Sequence, residues 1–233
     1  VQPAIMTRFP GPRSLPPLRE TTPNPPPAPG QILQALRAGA LESARPLARG
    51  HQGWLFGVRL NGYRLAVKTP AGGAGAFVHR RALRHEHRAY RRLDGVDGFA
   101  RCHGLFDDRW LVFDEIDGGP FRDAAVDVAF FDRLLEAVRT MHARGVAHGD
   151  LKRKSNLMVG ADGRPWIVDL GTALLRRERF APINHALFRT LAQTDLNAWV
   201  KLKYAGYEGL SEHDRALFRP TLPERLVRRL RRT

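Results

Sequence analysis

The stretch that decides the fold is HGDLKRKSNLMVGADGRPWIVDLGTA, residues 148–173. It places two aspartates and an asparagine, Asp150, Asn156 and Asp169, in short polar loops. The apolar segments 157–159 and 166–168 lie between and after these loops, and each predicts a short strand. Oxygen-bearing side chains are the ligands that a hard cation such as Mg²⁺ takes in proteins. The stretch therefore predicts a polar site held at the ends of two strands.

The segments around this stretch predict helices on both sides and strands farther upstream. Residues 129–145 repeat apolar side chains with a 3.6-residue period and end at a glycine, which indicates a long helix. The chain from Ile183 onward is also predicted to be helical. Further strands are predicted at 46–58, 61–69, 100–106 and 109–116, with a hairpin turn at Asn61-Gly62, and further helices at 31–41 and 79–93. This order predicts an α+β fold with a cleft between its halves.

The composition sets limits on partners and compartment. The chain has 233 residues, enough for one core or for two small lobes. Its 38 Lys and Arg exceed its 23 Asp and Glu, which favours an anionic partner such as nucleic acid, an acidic membrane surface or a phosphate-rich substrate. Compositional enrichment in arginine is the alternative explanation. The single cysteine, Cys102, allows no intramolecular disulfide and suits a reducing compartment.

The two ends of the sequence differ from the middle. Residues 1–30 contain ten prolines and predict a flexible arm. Residues 221–233 predict a basic amphipathic helix, which lies on anionic lipid or packs on the protein with its arginines in solvent. The sequence shows no signal-peptide pattern and no run of roughly 18–20 apolar residues, so we expect a cytoplasmic protein, at most peripheral at the inner face of the cytoplasmic membrane.

The residues of the stretch 148–173 suit phosphoryl transfer from ATP. That reaction needs carboxylates that hold Mg²⁺, cations near the phosphates and a carboxylate near the acceptor hydroxyl. Asp150 is the candidate for orienting the acceptor hydroxyl, and Lys152 for contacting the transferred phosphate. Asn156 and Asp169 are the candidate metal ligands.

Two upstream residues complete the candidate site. Lys68 ends the predicted strand that contains Leu65-Ala66-Val67 and is placed to reach the α- and β-phosphates of ATP. Glu86 lies in the following predicted helix and is the candidate for pairing with Lys68 and orienting it.

In this combination and order, the motifs resemble those of the protein-kinase-like superfamily. The matching pieces are Ala66-Val67-Lys68, Glu86, HGDLKRKSN at 148–156 and Val168-Asp169-Leu170-Gly171. Within the superfamily, the chain is most similar to the small bacterial branch akin to RIO-type kinases and the Kdo/heptose lipopolysaccharide kinases. The resemblance implies a bilobal fold. Its N-lobe, residues 31–116, would be a small antiparallel sheet with one helix, and its reduced, mostly helical C-lobe would span 117–233.

The sequence departs from the superfamily pattern at several points. Asn156 follows Asp150 by six residues where five are usual, so the loop must bulge or Asn156 must be shifted. Gly149 replaces the usual arginine before Asp150, which makes regulation by phosphorylation of the following segment less expected. A complete GxGxxG is absent, and Gly50 and Gly53 are the candidate glycines for phosphate contact. No APE-like anchor follows Gly171, so we expect a reduced peptide platform.

The sequence therefore predicts an ATP- and Mg²⁺-dependent kinase whose acceptor is open. The first hypothesis is a serine or threonine hydroxyl of a protein, as in RIO-type kinases. The alternative is a sugar of the lipopolysaccharide core. A nucleotide-binding pseudokinase scaffold is a further hypothesis. A nucleic-acid-binding module would explain the charge but not the aspartates, so from the sequence we do not expect a nucleic-acid partner.

Overall fold

The computed structural model describes residues 25–50, 53–72 and 76–220. Most of the predicted proline-rich arm and the whole predicted helix at 221–233 lie outside these residues. The helices of the described part are α1 (Pro29–Arg37), α2 (Ala76–Arg92), α3 (Val128–Ala143), α4 (Pro182–Lys203) and α5 (Glu212–Leu217). The helices predicted at 31–41, 79–93 and 129–145 agree closely with α1, α2 and α3, because the apolar period that predicts a helix also buries one of its faces. The prediction of helix from Ile183 onward is wrong between α4 and α5, where residues 204–211 form bends and irregular chain.

The first sheet is antiparallel and has the strand order β1-β2-β3-β5-β4. Its strands are β1 (Arg45–Gly50), β2 (Gly53–Leu60), β3 (Tyr63–Pro70), β4 (Cys102–Phe106) and β5 (Trp110–Asp114). Asn61 and Gly62 form the predicted turn between β2 and β3, and both have positive φ angles, of 52° and 81°. Two-residue hairpins favour this backbone conformation and this residue pair.

The strand predicted at 46–58 is wrong, because the structure divides this segment into β1 and β2. Gly50 pairs with Gly53 across a turn whose two residues lie outside the described part of the chain. A Cβ atom on Gly53 would lie 1.7 Å from the carbonyl oxygen of Thr69, so β3 passes too close for any other residue there. The segment between the two strands, Arg49-Gly50-His51-Gln52-Gly53, is polar and carries two glycines, which is the pattern of a turn.

The second half carries two smaller antiparallel sheets. One has the order β6-β8-β9, and in the other β7 pairs with β10. Their strands are β6 (Gly118–Pro120), β7 (Val146–Ala147), β8 (Leu157–Gly160), β9 (Pro165–Ile167) and β10 (Leu174–Leu175). The predicted α+β class is therefore confirmed, and the arrangement is compatible with a small bilobal kinase-like fold.

The first sheet is covered on both faces, and this fixes the direction of Lys68. Leu65 and Val67 of β3 are buried in a cluster with Ile32 and Leu36 of α1. Ala66, between them, is buried in the larger cluster that includes α2 and α3. Successive side chains of a strand point to opposite faces. The side chain of Lys68 therefore lies on the same face of the sheet as that of Ala66, which is the face that packs against α2.

No helix in the described part of the chain is both long enough and apolar enough to cross a membrane.

We expect Trp199 of α4 to contribute strongly to the stability of the second half. Its ring is fully buried, and its indole Nε1 donates a 2.7 Å hydrogen bond to the carbonyl oxygen of Phe131 in α3. The substitution Trp199→Phe removes this bond and leaves unfilled space. It should lower the free energy of unfolding, measured by urea denaturation, by about 1–3 kcal/mol. Trp54→Phe, at a 38 % exposed position, is the control and should change it by less than about 0.5 kcal/mol.

Candidate active site

Three predicted site residues meet in one ion-paired cluster. The Nζ atom of Lys68 lies 2.7 Å from Oε2 of Glu86 and 3.0 Å from Oδ1 of Asp169. These residues come from β3, from α2 and from the loop after β9, and up to 101 positions separate them. Glu86 is 2 % exposed, whereas the side chain of Asp169 is 50 % exposed. The cluster therefore has a buried end and an end that faces solvent.

The electrostatics of the cluster favour a charged Lys68. Burial alone would lower the pKa of Lys68, but the carboxylates of Glu86 and Asp169 outweigh it and raise that pKa above its ordinary value. Burial raises the pKa of Glu86 against the opposing pull of Lys68. Burial would also raise the pKa of Asp169, yet Lys68 holds it below the usual range. At neutral pH the exposed end therefore presents an ammonium group beside an aspartate carboxylate.

The backbone at Asp169 places its carboxylate at this point. Asp169 has φ of 63° and ψ of 68°, in the left-handed region that few non-glycine residues adopt. It starts a 3-10 turn, Leu170–Thr172, whose Leu170 is fully buried. His85 of α2 approaches the end of this turn, with its Nε2 2.6 Å from the carbonyl oxygen of Ala173. The buried leucine and the contact with α2 together hold the unusual conformation.

The loop that contains Asp150 accommodates its extra residue by two consecutive turns. The amide of Arg153 donates to the carbonyl oxygen of Asp150, and the amide of Asn156 donates to the carbonyl oxygen of Arg153. Asn156, which is 4 % exposed, then donates from Nδ2 to the Asp150 carbonyl oxygen over 3.1 Å. The six-residue spacing therefore still brings the asparagine back to Asp150.

Asn156 and Asp169 carry oxygen atoms of the kind that Mg²⁺ takes as ligands. The amide of Val168 donates to the carbonyl oxygen of Asn156 over 3.0 Å, which places Asn156 beside the residue that precedes Asp169. Mg²⁺ is commonly bound by one or two carboxylates together with substrate phosphates and water. No group of three or more His, Cys, Asp or Glu residues in the described ranges is arranged for a metal ion. A dedicated all-protein metal cage is therefore absent there, whereas a site that shares its ion with phosphates needs only Asp169 and Asn156.

In the part of the chain that the structure describes, the other predicted site residues make no ion pair or side-chain hydrogen bond with this cluster. Lys152 is exposed and, among the described residues, makes no ion pair or side-chain hydrogen bond. Asp150 is half-buried, and its Oδ2 lies 3.9 Å from Nη1 of Arg153. Gly50 and Gly53 face each other across the β1–β2 hairpin, and the close approach of β3 accounts for Gly53. Their contact with phosphate stays a prediction, since the turn between them is outside the described residues.

Sequence reasoning missed one residue that organises the site, Asp195 of α4. This aspartate is fully buried and accepts 2.8 Å hydrogen bonds from the amides of His148 and Gly149. Its Oδ2 also lies 3.0 Å from Nε2 of His142. Asp195 therefore fixes the backbone that leads into Asp150. An acid within the mostly apolar segment 195–200 is the local signal that indicates such a role.

His148 has a structural role in the same loop. It is fully buried, and its Nδ1 accepts a 3.3 Å hydrogen bond from the amide of Asp150. Its Nε2 lies 3.1 Å from the carbonyl oxygen of Val168. Since Nδ1 accepts, Nε2 carries the proton and donates to that carbonyl. The ring thus connects the Asp150 loop to Val168, the residue before Asp169.

Comparison with known proteins finds a partial match to a tRNA-modification protein and no matching family model. A stretch of 52 residues is 38% identical to a probable bifunctional tRNA threonylcarbamoyladenosine biosynthesis protein of Methanothermobacter thermautotrophicus. This stretch covers 22% of the chain and spans only 10% of that protein. The match is thus to a small part of a much longer protein.

We expect Asp195→Asn to loosen the Asp150 loop. The two backbone amides donate to different oxygens of Asp195, and in asparagine one of these oxygens becomes an NH₂ donor, so one buried amide faces a donor and stays unpaired. The free energy of unfolding should fall by about 1–3 kcal/mol. Hydrogen exchange followed by mass spectrometry should show faster exchange in the peptide that contains His148 and Gly149.

The matched control is Asp214→Asn. Asp214 of α5 is also buried, and it accepts from Lys203 Nζ and Tyr204 Oη, each over 2.7 Å, outside the Asp150 loop. This variant should lower stability without changing exchange at His148 and Gly149 under native conditions. Equal exchange in both variants would contradict the role given to Asp195.

Proposed function

We propose that the chain is an ATP- and Mg²⁺-dependent phosphotransferase that moves the γ-phosphoryl group of ATP to an acceptor hydroxyl. The ion-paired cluster of Lys68, Glu86 and Asp169 carries this proposal. In this cluster a lysine contacts Asp169, a carboxylate of the kind that binds metal ions, at the end that faces solvent. A second aspartate, Asp150, lies in a loop that Asn156 and His148 connect to the segment before Asp169. Phosphoryl transfer needs this combination of positioned charges.

Each residue has a role that its contacts support. Lys68 has three N–H donors and uses two of them on Glu86 and Asp169, so the third is available for a phosphate oxygen. Asp169 and Asn156 would hold Mg²⁺, which when bound spreads charge away from the phosphates. Asp150 would accept the proton of the acceptor hydroxyl and orient it. Lys152 would contact the transferred phosphoryl group.

For the acceptor, we propose a serine or threonine hydroxyl of a protein. Leu191 of α4 lies beside Gly149, because a Cβ there would be 3.4 Å from its Cδ2. One and two turns earlier on the same face of α4 are Leu187 and Ile183, which are 53 % and 78 % exposed, and Phe180 precedes the helix at 93 %. Contiguous exposed apolar side chains mark contacts with proteins or membranes, and the hydroxyl-rich ring of a sugar offers little apolar surface for them. They favour a protein over the alternative acceptor, a lipopolysaccharide sugar.

A panel of three variants tests the transfer chemistry. Asp150→Asn should reduce transfer of labelled phosphate by about 10²–10⁴-fold and leave ATP affinity almost unchanged, because it removes only the base at the acceptor. Asp169→Asn should weaken nucleotide binding only when Mg²⁺ is present, as measured by calorimetry. The control Asp132→Asn, on the exposed face of α3, should behave as the wild type. Unchanged turnover in Lys68→Ala would refute the site.

A second experiment tests the acceptor class. Ile183→Ser with Leu187→Ser should raise the KM for a protein acceptor and leave the KM for ATP unchanged, because the apolar contacts lie beside the Asp150 loop and away from Lys68. The matched control is Val128→Ser, a 66 % exposed apolar residue on α3. Phosphorylation of a Kdo-bearing lipid, with no transfer to serine or threonine substrates, would instead identify the sugar acceptor.

A further inference from the structure

The exposed face of α2 carries a dense row of arginines. We call it the arginine ridge, and its members are Arg80, Arg81, Arg84, Arg88 and Arg91, all exposed. With about 100° of rotation per residue, they lie within about 100° of the helix circumference. The opposite face packs into the core through Leu83, Ala89 and Tyr90 and carries Glu86. The ridge is therefore held on a firmly anchored helix.

The ridge is more than a consequence of an arginine-rich composition. The exposed face of α3 has about the same length and carries both signs of charge, with Asp132, Arg133, Glu136 and Arg139. The only acidic residue of α2 is Glu86, which is buried against Lys68. Enrichment in arginine alone would affect both helices alike. The unbalanced charge thus distinguishes α2 from α3.

Few carboxylates compensate the ridge. Arg84 pairs with Asp108, and its Nε lies 2.8 Å from Oδ1 of that residue. Among the described residues, no ion pair joins a carboxylate to Arg80, Arg81, Arg88 or Arg91. Like charges three or four positions apart on a helix repel one another and destabilise it. This repulsion between arginines is largely uncompensated on the surface of α2. An anionic ligand that reduces it would therefore bind favourably.

The length of the ridge matches the charge spacing of nucleic acid. From Arg80 to Arg91 the helix rises about 16 Å, at about 1.5 Å per residue. One strand of a duplex carries a phosphate about every 3.4 Å along its axis, so the ridge spans about five phosphates. Four of its five arginines have no ion pair with a carboxylate among the described residues, and Arg84 is paired with Asp108. Arginine also binds phosphate oxygens in a bidentate manner.

We propose that the arginine ridge of α2 is a docking surface for the phosphate backbone of a nucleic acid. A lipid surface fits less well, because a helix that lies on a membrane needs an apolar face for the lipid. The apolar face of α2 is buried, and on this helix the large exposed apolar residues are Phe77 and Val78 at one end. This inference is independent of the phosphotransferase proposal, since none of the five arginines belongs to the candidate active site.

Fluorescence anisotropy with the full chain tests the proposal. Labelled RNA and duplex DNA of about 20 nucleotides are titrated at about 50 mM and about 200 mM salt. The ridge variant is Arg81→Glu with Arg88→Glu, and the matched control is Arg133→Glu with Arg139→Glu on α3, which changes the formal charge equally. The ridge variant should lose at least about tenfold in affinity, and its slope against log salt should fall by about 2. The control should stay within about threefold of the wild type.

The outcomes separate the possible partners. Loss with RNA, with DNA or with both supports the proposal and identifies the nucleic acid. Equal losses in ridge variant and control would show a dependence on net charge alone and would overturn it. So would an unchanged affinity of the ridge variant, or ridge-dependent binding to phosphatidylserine vesicles without binding to nucleic acid. Circular dichroism checks folding, and Arg81→Gln with Arg88→Gln replaces the ridge variant if glutamate unfolds α2.

Discussion

The contact between Lys68 and Glu86 is the interaction on which the arrangement of the molecule depends. Glu86 is almost fully buried, and a buried carboxylate without a partner is strongly destabilising. The pair can form only if β3 and α2 keep one relative position, and the second bond of Lys68, to Asp169, adds the loop after β9 to the same constraint. The hydrophobic clusters on both faces of the first sheet hold β3, so that the lysine reaches its partners.

Further bonds tie α2 to the second half of the molecule. His85 contacts the carbonyl oxygen of Ala173, and Arg92 donates from Nη1 to the carbonyl oxygens of Gly145 and Arg176. These contacts involve two positions on α2 that are seven residues apart, and all of their partners belong to the same chain. The position of α2 that completes the Lys68 pair is therefore held by contacts within the chain.

The sequence predicts the parts of this structure that depend on local periodicity or on the order of motifs. The long helix α3 follows from its apolar period, and the proximity of Lys68, Glu86 and Asp169 follows from the resemblance. Asp195 could not be assigned in this way, because it binds the backbone amides of His148 and Gly149, which lie more than 45 positions away. Every residue type except proline has a backbone amide, so the side chains at these positions do not indicate the contact. The requirement for glycine at position 53 likewise depends on the close approach of β3, which the local sequence does not show.

The two faces of α2 bear on the two proposals in different ways. A ligand on the arginine ridge could change the contacts of Lys68 only by shifting α2 from its observed position to a second one. Such a shift requires that the ligand bind the two positions with different affinity. Any such movement would break the His85 and Arg92 contacts together with the buried Glu86 pair, so the observed position is strongly preferred. A nucleic acid bound to the ridge would therefore leave the candidate active site assembled as it is. Its effect would be to hold the chain, and the acceptor reached by Asp150, beside the same nucleic acid.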